Sequence, residues 1–273
     1  MWDVDGSAPR PGEPLEVAPG IHLVLAPNAN EWTFEGTNTW VLTGGGDAIV
    51  VDPGPDDSEH LDAIDEVVHT SGSRLREVVL SHHHGDHSQA AAPLAKRWSA
   101  PIRPRVQRGV IAEGTRFDLG ASEAWAIRTP GHTADGVSLV LPDHRLVLTG
   151  DTVLARVNPF ISHPDGTIVD ILSSMRRLAD VVDDDWVFLP GHGPVVREPR
   201  QYLENRVRDR LRRVDQVAAH AAAGRGPAEI ARAIHPHLNS LRLRAAQASV
   251  EAILHYLDDS RADAGPSTRK APR

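Results

Sequence analysis

Short apolar runs of four or five residues recur along the first 190 positions: Ile21–Leu25, Thr39–Leu42, Ala48–Val51, Glu77–Leu80, Trp125–Arg128, Val137–Leu141, Leu146–Thr149 and Trp186–Leu189. Gly, Pro, Asn or Asp closes most of them, a pattern that predicts strands. Between them, Ser58–Thr70 sets Leu61, Ile64, Val67 and Val68 at helical spacing behind Ser58 as a cap, and Ser88–Trp98 and Ile168–Leu178 also predict helices. Strands alternating with helices imply an α/β layer architecture. From Pro199 the pattern turns helical, over Tyr202–Ala222, Pro227–Ile234 and Leu241–Leu257, and Arg261–Arg273 reads as a frayed polar tail. The expected organisation is an α/β domain over 1–196, a helical region over 197–260 and a disordered tail over 261–273. No internal repeat suggests a solenoid.

A chain of 273 residues allows one large domain or a domain with an appendage. Its 40% hydrophobic and 24% charged content excludes collagen, coiled coil and a wholly disordered chain. No run approaches the roughly 18 apolar residues of a membrane helix, and Met1-Trp2-Asp3-Val4-Asp5 is acidic where a signal peptide is basic, so a cytoplasmic protein without membrane contact is expected. There is no cysteine, which removes disulfides, thiolate nucleophiles and Cys-ligated metals. Any metal must be held by His, Asp and Glu. The formal charge of −8 is uneven: residues 1–196 carry 14 basic against 28 acidic residues, and 197–273 carry 15 against 9. The split suggests two regions with different work.

The sharpest signal is Ser81-His82-His83-His84-Gly85-Asp86-His87, which leaves the end of one predicted strand and enters a predicted helix. Along an extended segment His82 and His84 point one way and His83 the other, and a turn at Gly85 returns Asp86 and His87 towards the same pocket. Three further motifs stand just beyond predicted strands: Thr129-Pro130-Gly131-His132, Leu148-Thr149-Gly150-Asp151 and Leu189-Pro190-Gly191-His192. Alone, each of the three reads equally well as a turn. Together with the His run they read as imidazole and carboxylate ligands for zinc, manganese or iron, gathered at strand ends as in open α/β sheets.

The series His82-x-His84-x-Asp86-His87, His132, Asp151 and His192 resembles the metallo-β-lactamase superfamily. Within it the likeness is greatest to β-lactamase-like hydrolases whose animal member is a mitochondrial endoribonuclease, the β-lactamase-like 2 group. The shared stretches are Thr33-Phe34-Glu35-Gly36-Thr37-Asn38-Thr39-Trp40, Val51-Asp52-Pro53-Gly54, the His motif, Thr129-Pro130-Gly131-His132-Thr133, Thr149-Gly150-Asp151 and Pro190-Gly191-His192-Gly193-Pro194-Val195. They run in family order from about residue 15 to about residue 258. The resemblance implies an αββα sandwich with a small winged-helix-like C-terminal region, and a homodimer. It implies that His82, His84 and His132 hold one divalent metal, Asp86, His87 and His192 a second, and that Asp151 bridges them, most simply two zinc ions, with manganese or iron as alternatives. His83 has no ligand role in that scheme. A flavodiiron-type site usually has Glu where His84 stands, which disfavours that chemistry.

Water bridging two such ions loses a proton near neutral pH and supplies a hydroxide nucleophile without Ser or Cys, with the other metal or Asp86 helping the leaving group accept charge. The sequence has no Gly-x-Ser-x-Gly elbow and no phosphate-binding Gly-rich loop. The substrate is expected to be a small-molecule ester, thioester or amide; single-stranded RNA is the alternative, and a non-catalytic metal-binding scaffold a third reading. For RNA speak Arg197, Arg200, Arg206, Arg208, Arg210, Arg212 and Arg213, of which Arg206, Arg210 and Arg213 share a helix face; the plain alternative is a solvated face. Against it stand the acidic 1–196 region and an aromatic content of 4%, which leaves few stacking platforms. Trp32, Phe34 and Trp40 either line the site's mouth or pack in the sheet. Family members often carry His-Arg after a Tyr where this chain has Tyr202-Leu203-Glu204-Asn205-Arg206, and the segment Leu154 to Gly166 departs from the shorter family version. That segment is expected to bear on substrate choice.

Overall fold

The computed structural model describes residues 9–263 apart from Gln107 and Ala121, so the acidic first residues and positions 264–273 of the expected tail lie outside the described residues. Six strands, β1 (Leu15–Ala18), β2 (Ile21–Leu25), β3 (Asn38–Gly44), β4 (Asp47–Val51), β5 (Arg74–Val79) and β6 (Ile102–Arg103), form one sheet in sequence order. The second sheet, also in sequence order, holds β7 (Arg116–Asp118), β8 (Glu123–Arg128), β9 (Val137–Leu141), β10 (Leu146–Gly150), β11 (Val187–Pro190) and β12 (Val196–Arg197). The helices are α1 (Ser58–Thr70), α2 (Gly85–Ser88), α3 (Ala91–Trp98), α4 (Ile168–Val181), α5 (Pro199–Ala222), α6 (Pro227–Ile234) and α7 (Ser240–Asp263).

Both faces of each sheet are buried, which is why the central strands read as unbroken apolar runs rather than as alternating ones. Leu23, Trp40, Leu42 and Val51 point inward and meet Ala126, Leu139, Leu141 and Leu148 of the second sheet. Their neighbours Val24, Val41, Val50 and Val78 point outward, under Leu61, Ile64 and Val68 of α1 and Leu94 of α3. On the far side Val140, Val147 and Phe188 meet Ile171, Met175 and Leu178 of α4, and that core continues without a break into Val214, Val217, Ile230, Val250 and Ile253 of the three C-terminal helices. The result is the expected αββα sandwich. The C-terminal region is helical, and no strand follows β12 among the described residues to make a wing.

Local chemistry explains where boundaries move. Asp57, not Ser58, caps α1, its carboxylate accepting from the His60 backbone N–H at 2.9 Å. The helix expected over Ser88–Trp98 is two pieces, α2 and α3, separated by a turn at Gln89 and Ala90. Thr167 caps α4 by accepting from the Asp170 N–H at 3.0 Å. The strands β1, β6, β7 and β12 lie at sheet edges and carry few buried residues, so their sequence signal is weak. The last helix runs to Asp263, three residues into the segment expected as tail. Among the described residues no helix is long and apolar enough to cross a membrane.

Topology then fixes the site. β4 and β5 are parallel. β8 is antiparallel to β9, β9 to β10, and β10 is parallel to β11, so β8, β10 and β11 run in one direction. The two sheets are stitched at these strand ends, where the Asn38 N–H donates to Gly191 O at 2.8 Å and the Val137 N–H to Ser81 O at 2.9 Å.

Candidate metal centre

Five strand ends deliver the site. Asp52 follows β4; His82, His84, Asp86 and His87 follow β5 and enter α2; His132 follows β8, Asp151 follows β10 and His192 follows β11. The turns need small residues: an added Cβ at Gly131, whose φ is +133°, would lie 2.3 Å from the Ile171 backbone, and one at Gly191 would lie 2.5 Å from Asp151 Oδ1.

All seven residues singled out from the sequence come together. His82 Nε2 and His132 Nε2 lie 3.1 and 3.0 Å from His84 Nδ1. Beside them His87 Nε2 and His192 Nε2 are 3.2 Å apart, and Asp86 Oδ2 is 3.2 Å from His192 Nε2. Asp151 stands between the groups, Oδ1 3.5 Å from His87 Nε2, and Oδ2 3.5 Å from His192 Nε2 and 3.9 Å from His132 Nε2. His83 points elsewhere, as the alternation predicts; its Nδ1 is 3.1 Å from Asp135 Oδ1 and its Nε2 3.9 Å from Asp165 Oδ2.

Each imidazole except His84 is oriented from behind through Nδ1. Asp52 is the hub: Oδ1 accepts from the Ser81 N–H at 2.7 Å, and Oδ2 accepts from Ser81 Oγ at 2.6 Å and His87 Nδ1 at 2.9 Å. The Ser81 hydroxyl, its proton given to Asp52, accepts from His82 Nδ1 at 3.0 Å. His132 Nδ1 donates to Phe160 O at 2.6 Å and His192 Nδ1 to Gly36 O at 3.3 Å. These contacts fix the tautomers that leave each Nε2 lone pair facing the cluster, as backing hydrogen bonds do for ligating histidines. Asp52, which the sequence shows only as part of an Asp-Pro-Gly turn, sits at φ +53°, a conformation Asp tolerates better than most residues.

The electrostatics agree. Burial and neighbouring imidazoles hold His82 well below its ordinary range, and burial with His132 beside it takes His84 down to about 4. Burial also lowers His132. Burial opposes ionisation of Asp86, yet the His192 hydrogen bond and the His87 charge outweigh it and bring the carboxyl down to about 2. Asp151, although buried, is held ionised by His192 and His87. His87 is the exception: burial disfavours its charge, but Asp151 and Asp52 on either side raise it well above its usual value. Imidazole nitrogens that converge within 3.2 Å of one another, beside a buried Asp151 Oδ1 without a hydrogen-bond partner, are the arrangement a cation would relieve. Three overlapping groups here, His82 with His84 and His132, His82 with His87 and Asp151, and Asp86 with His87 and His192, could each hold a metal ion. Imidazole nitrogens with carboxylate oxygens suit a borderline divalent cation.

A cavity of about 350 Å³ opens onto the cluster, with His84, Asp86, Asp151 and His192 at one end and apolar walls from Trp32, Phe34, Leu154, Val157 and Phe160. Trp32 and Phe160 pack edge to face, ring centroids 5.6 Å apart. Trp32 and Phe34 therefore line the mouth, whereas Trp40 is core, its Nε1 donating to Pro190 O at 3.2 Å. Arg242 of α7 lies over the Trp32 ring, a wall residue that nothing in the sequence pattern points to. Of the basic cluster, Arg197, Arg200, Arg208 and Arg212 are exposed or nearly so, but the shared face of Arg206, Arg210 and Arg213 turns inward, and Arg210 is buried.

The description "Metallo-beta-lactamase superfamily" belongs to a family model that matches residues 32–124 and 114–192. An atrochrysone carboxyl ACP thioesterase of Passalora fulva is 27% identical over 223 residues, a match covering 77% of this chain and 65% of that protein, so the chain spans just under two thirds of its length. A beta-lactamase-like protein 2 homolog of Caenorhabditis elegans is 27% identical over 224 residues, 75% of this chain and 72% of that protein. Among solved structures, a beta-lactamase domain protein from Burkholderia ambifaria superposes with a TM-score of 0.79 at 20% identity, covering 93% of this chain and 90% of its own. A metallo-beta-lactamase family protein from Thermus thermophilus gives 0.74 at 20% identity, over 90% and 96%. Matching sequence, sandwich topology and a His/Asp cluster at the strand ends, this chain belongs to the metallo-beta-lactamase superfamily.

Proposed function

We propose that the chain is a dinuclear metal-dependent hydrolase of small acyl compounds, thioesters first among them. His82, His84 and His132 would hold one divalent cation and Asp86, His87 and His192 a second, with the Asp151 carboxylate between the two groups available to both; zinc suits these donors best, with manganese or iron as alternatives. When bound, the two cations supply an activated water near neutral pH and polarise the acyl oxygen. The protein does the rest. Asp52, Phe160 O and Gly36 O hold the imidazoles in register, and the apolar wall orients the acyl chain and limits water.

The observation that carries the reading is the cavity itself: an apolar sleeve of about 350 Å³ ending on polar groups suits a small acyl chain with one reactive carbonyl. Leaving-group chemistry points the same way. Asp86, at about 2, is ionised at neutral pH and accepts or relays a proton rather than donating one from store. A thiol leaving group, with an ordinary pKa of about 8.5, departs without a strong proton donor; an alkoxide does not. The fungal relative named as an ACP thioesterase supports this class. The test pairs metal analysis with two assays, thiol release from acyl-N-acetylcysteamine and cleavage of labelled single-stranded RNA, each beside Asp151→Ala. The expected result is bound metal and thioester turnover, both lost in the variant. Metal-dependent RNA cleavage lost in Asp151→Ala, without thioester turnover, would replace the acyl reading with the nuclease one, and failure to bind metal would overturn both.

A further inference from the structure

Behind the wall formed by residues 157–160 lies a second cavity, of about 490 Å³, lined by α5, α7 and the connection between α6 and α7. Arg206, Arg210, Arg212, Arg213 and Arg242 line it, and Asp209 is the one carboxylate among its lining residues. Asp209 is already engaged, pairing with Arg206 at 2.8 Å and with Arg212. Arg210 has no such partner. It is 6% exposed, its one hydrogen bond runs from a terminal nitrogen to the neutral Pro159 carbonyl at 3.0 Å, and its Nε is buried without an acceptor. The Nε atoms of Arg206 and Arg242 are likewise buried and unpartnered. Arg213 spends one contact on His235 Nε2 at 3.0 Å. His235 is held down to about 4 by burial and by Arg213, so it accepts from the guanidinium and adds no competing charge.

Burying a guanidinium costs free energy unless an anion or a full set of acceptors compensates it. Desolvation, with Arg206 adding repulsion, lowers Arg210 to about 10, which still leaves it charged at neutral pH. A helix whose inner face carried three arginines merely for solubility would turn them to water; here they are recessed around a space, with donors in excess of acceptors. The same cavity is also lined by the apolar side chains of Ile168, Leu238, Val250 and Ile253. Guanidinium donors and apolar side chains lining one space match a tetrahedral oxyanion carried on an organic group.

We propose that this cavity is a binding site for a small organic phosphate, with Arg210 and Arg213 donating to the phosphate oxygens and the Ile168–Val250–Ile253 wall packing on its carbon part. The phosphate has two possible sources: a phosphorylated arm of the molecule cleaved at the metal centre, since Arg242 lines both cavities, or a separate organic phosphate that binds behind the wall. The site stands on its own residues and does not rest on the thioesterase reading.

The test is titration calorimetry of the metal-loaded full-length protein with phenyl phosphate, with phenol as the uncharged control. Phenyl phosphate is expected to bind and phenol not, with affinity at least about tenfold weaker in Arg210→Met and in Arg213→Gln, and with metal content unchanged in Arg213→Gln, whose guanidinium contacts His235 and not the 157–160 segment. Unchanged metal separates this site from any phosphate held at the metal centre. If Arg210 serves only to hold the 157–160 segment, Arg210→Met lowers the melting temperature and leaves phenyl phosphate affinity untouched, and the proposal is overturned; no binding to wild type, or equal binding to both variants, overturns it as well. Because the readout is binding, failure of the thioester assay leaves this result standing. Once a substrate is in hand the source follows: inhibition by phenyl phosphate competitive with a phosphorylated thioester but absent for a neutral one assigns the substrate's own arm, and an equal change in turnover for both assigns a separate ligand.

Discussion

Asp52→Asn is the substitution that isolates how much the hidden carboxylate contributes. Two oxygens of Asp52 accept from three donors, Ser81 N–H, Ser81 Oγ and His87 Nδ1. An asparagine of the same shape has one oxygen and one NH2, so either orientation sets a donor against a donor. With its NH2 towards Ser81 N–H, a backbone donor is stranded. With the NH2 towards His87, the Ser81 hydroxyl can rotate and accept, but His87 must turn its Nδ1 lone pair to the amide and carry its proton on Nε2, the atom that faces Asp151 and His192. Leaving one buried donor unmatched costs about 1–3 kcal/mol, and losing a partner behind a ligating histidine typically weakens metal affinity about 10–100-fold. The two estimates overlap, since about 1.4 kcal/mol is a factor of ten. The assay is competition of the loaded protein against a chromogenic chelator, resolving the first and second metal released. Metal held by Asp86, His87 and His192 is expected to leave more readily by that factor, and metal held by His82, His84 and His132 by less, because His82 reaches Asp52 only through Ser81. Release of both within about twofold of wild type would refute the reasoning that Asp52 sets the His87 tautomer.

Gly191→Ala places a Cβ 2.5 Å from Asp151 Oδ1 and 2.7 Å from His87 Cε1, so metal content should fall while far-UV circular dichroism stays native; full metal content in the variant would contradict the packing described. Buried His60, lowered by desolvation to about 4 against 6.5 when unfolded, makes stability pH-dependent. The unfolded chain takes up that proton first, so stability is complete above pH 6.5 and falls as pH drops towards 4, by on the order of 3 kcal/mol from this group alone. Urea unfolding of His60→Gln should show a shallower fall over that window, and an unchanged slope would count against it.

The clustered side chains are legible because they stand at strand ends: His132, Asp151 and His192 follow apolar runs that stop at Pro or Gly, and the run from His82 to His87 marks itself. Asp52 is not, since Asp-Pro-Gly reads the same in any turn. Its role exists only because β4 and β5 pair in parallel and bring Asp52 against Ser81. The arginine face of α5 was visible as a face, yet helical spacing says which residues share a side and nothing about what covers it; a cover drawn from residues 157–160, the α6–α7 connection and α7 is a long-range fact. Arg242 as a wall residue was hidden for the same reason.

That cover also changes what the C-terminal helices are. Tyr202 Oη donates to Leu154 O at 2.6 Å and Ala155 O at 2.7 Å, Arg210 donates to Pro159 O, and the Ile161 N–H donates to Ser249 Oγ at 2.8 Å, so α5 and α7 hold the 154–161 segment at four points. The opposite side of the same segment supplies Phe160 O to His132 Nδ1. A division of the chain at residue 196 follows composition and charge, but it cuts through a shared hydrophobic core and through the support of one imidazole in the cluster. Since a misplacement of about 1 Å in a reacting group can cost about a hundredfold in rate, the helices belong to the geometry of the centre as well as to its enclosure. The segment Leu154 to Gly166, singled out for its departure from the family pattern, is where the His/Asp cluster, the cavity that opens onto it and the arginine-lined recess share one wall, so a change of sequence there alters all three together.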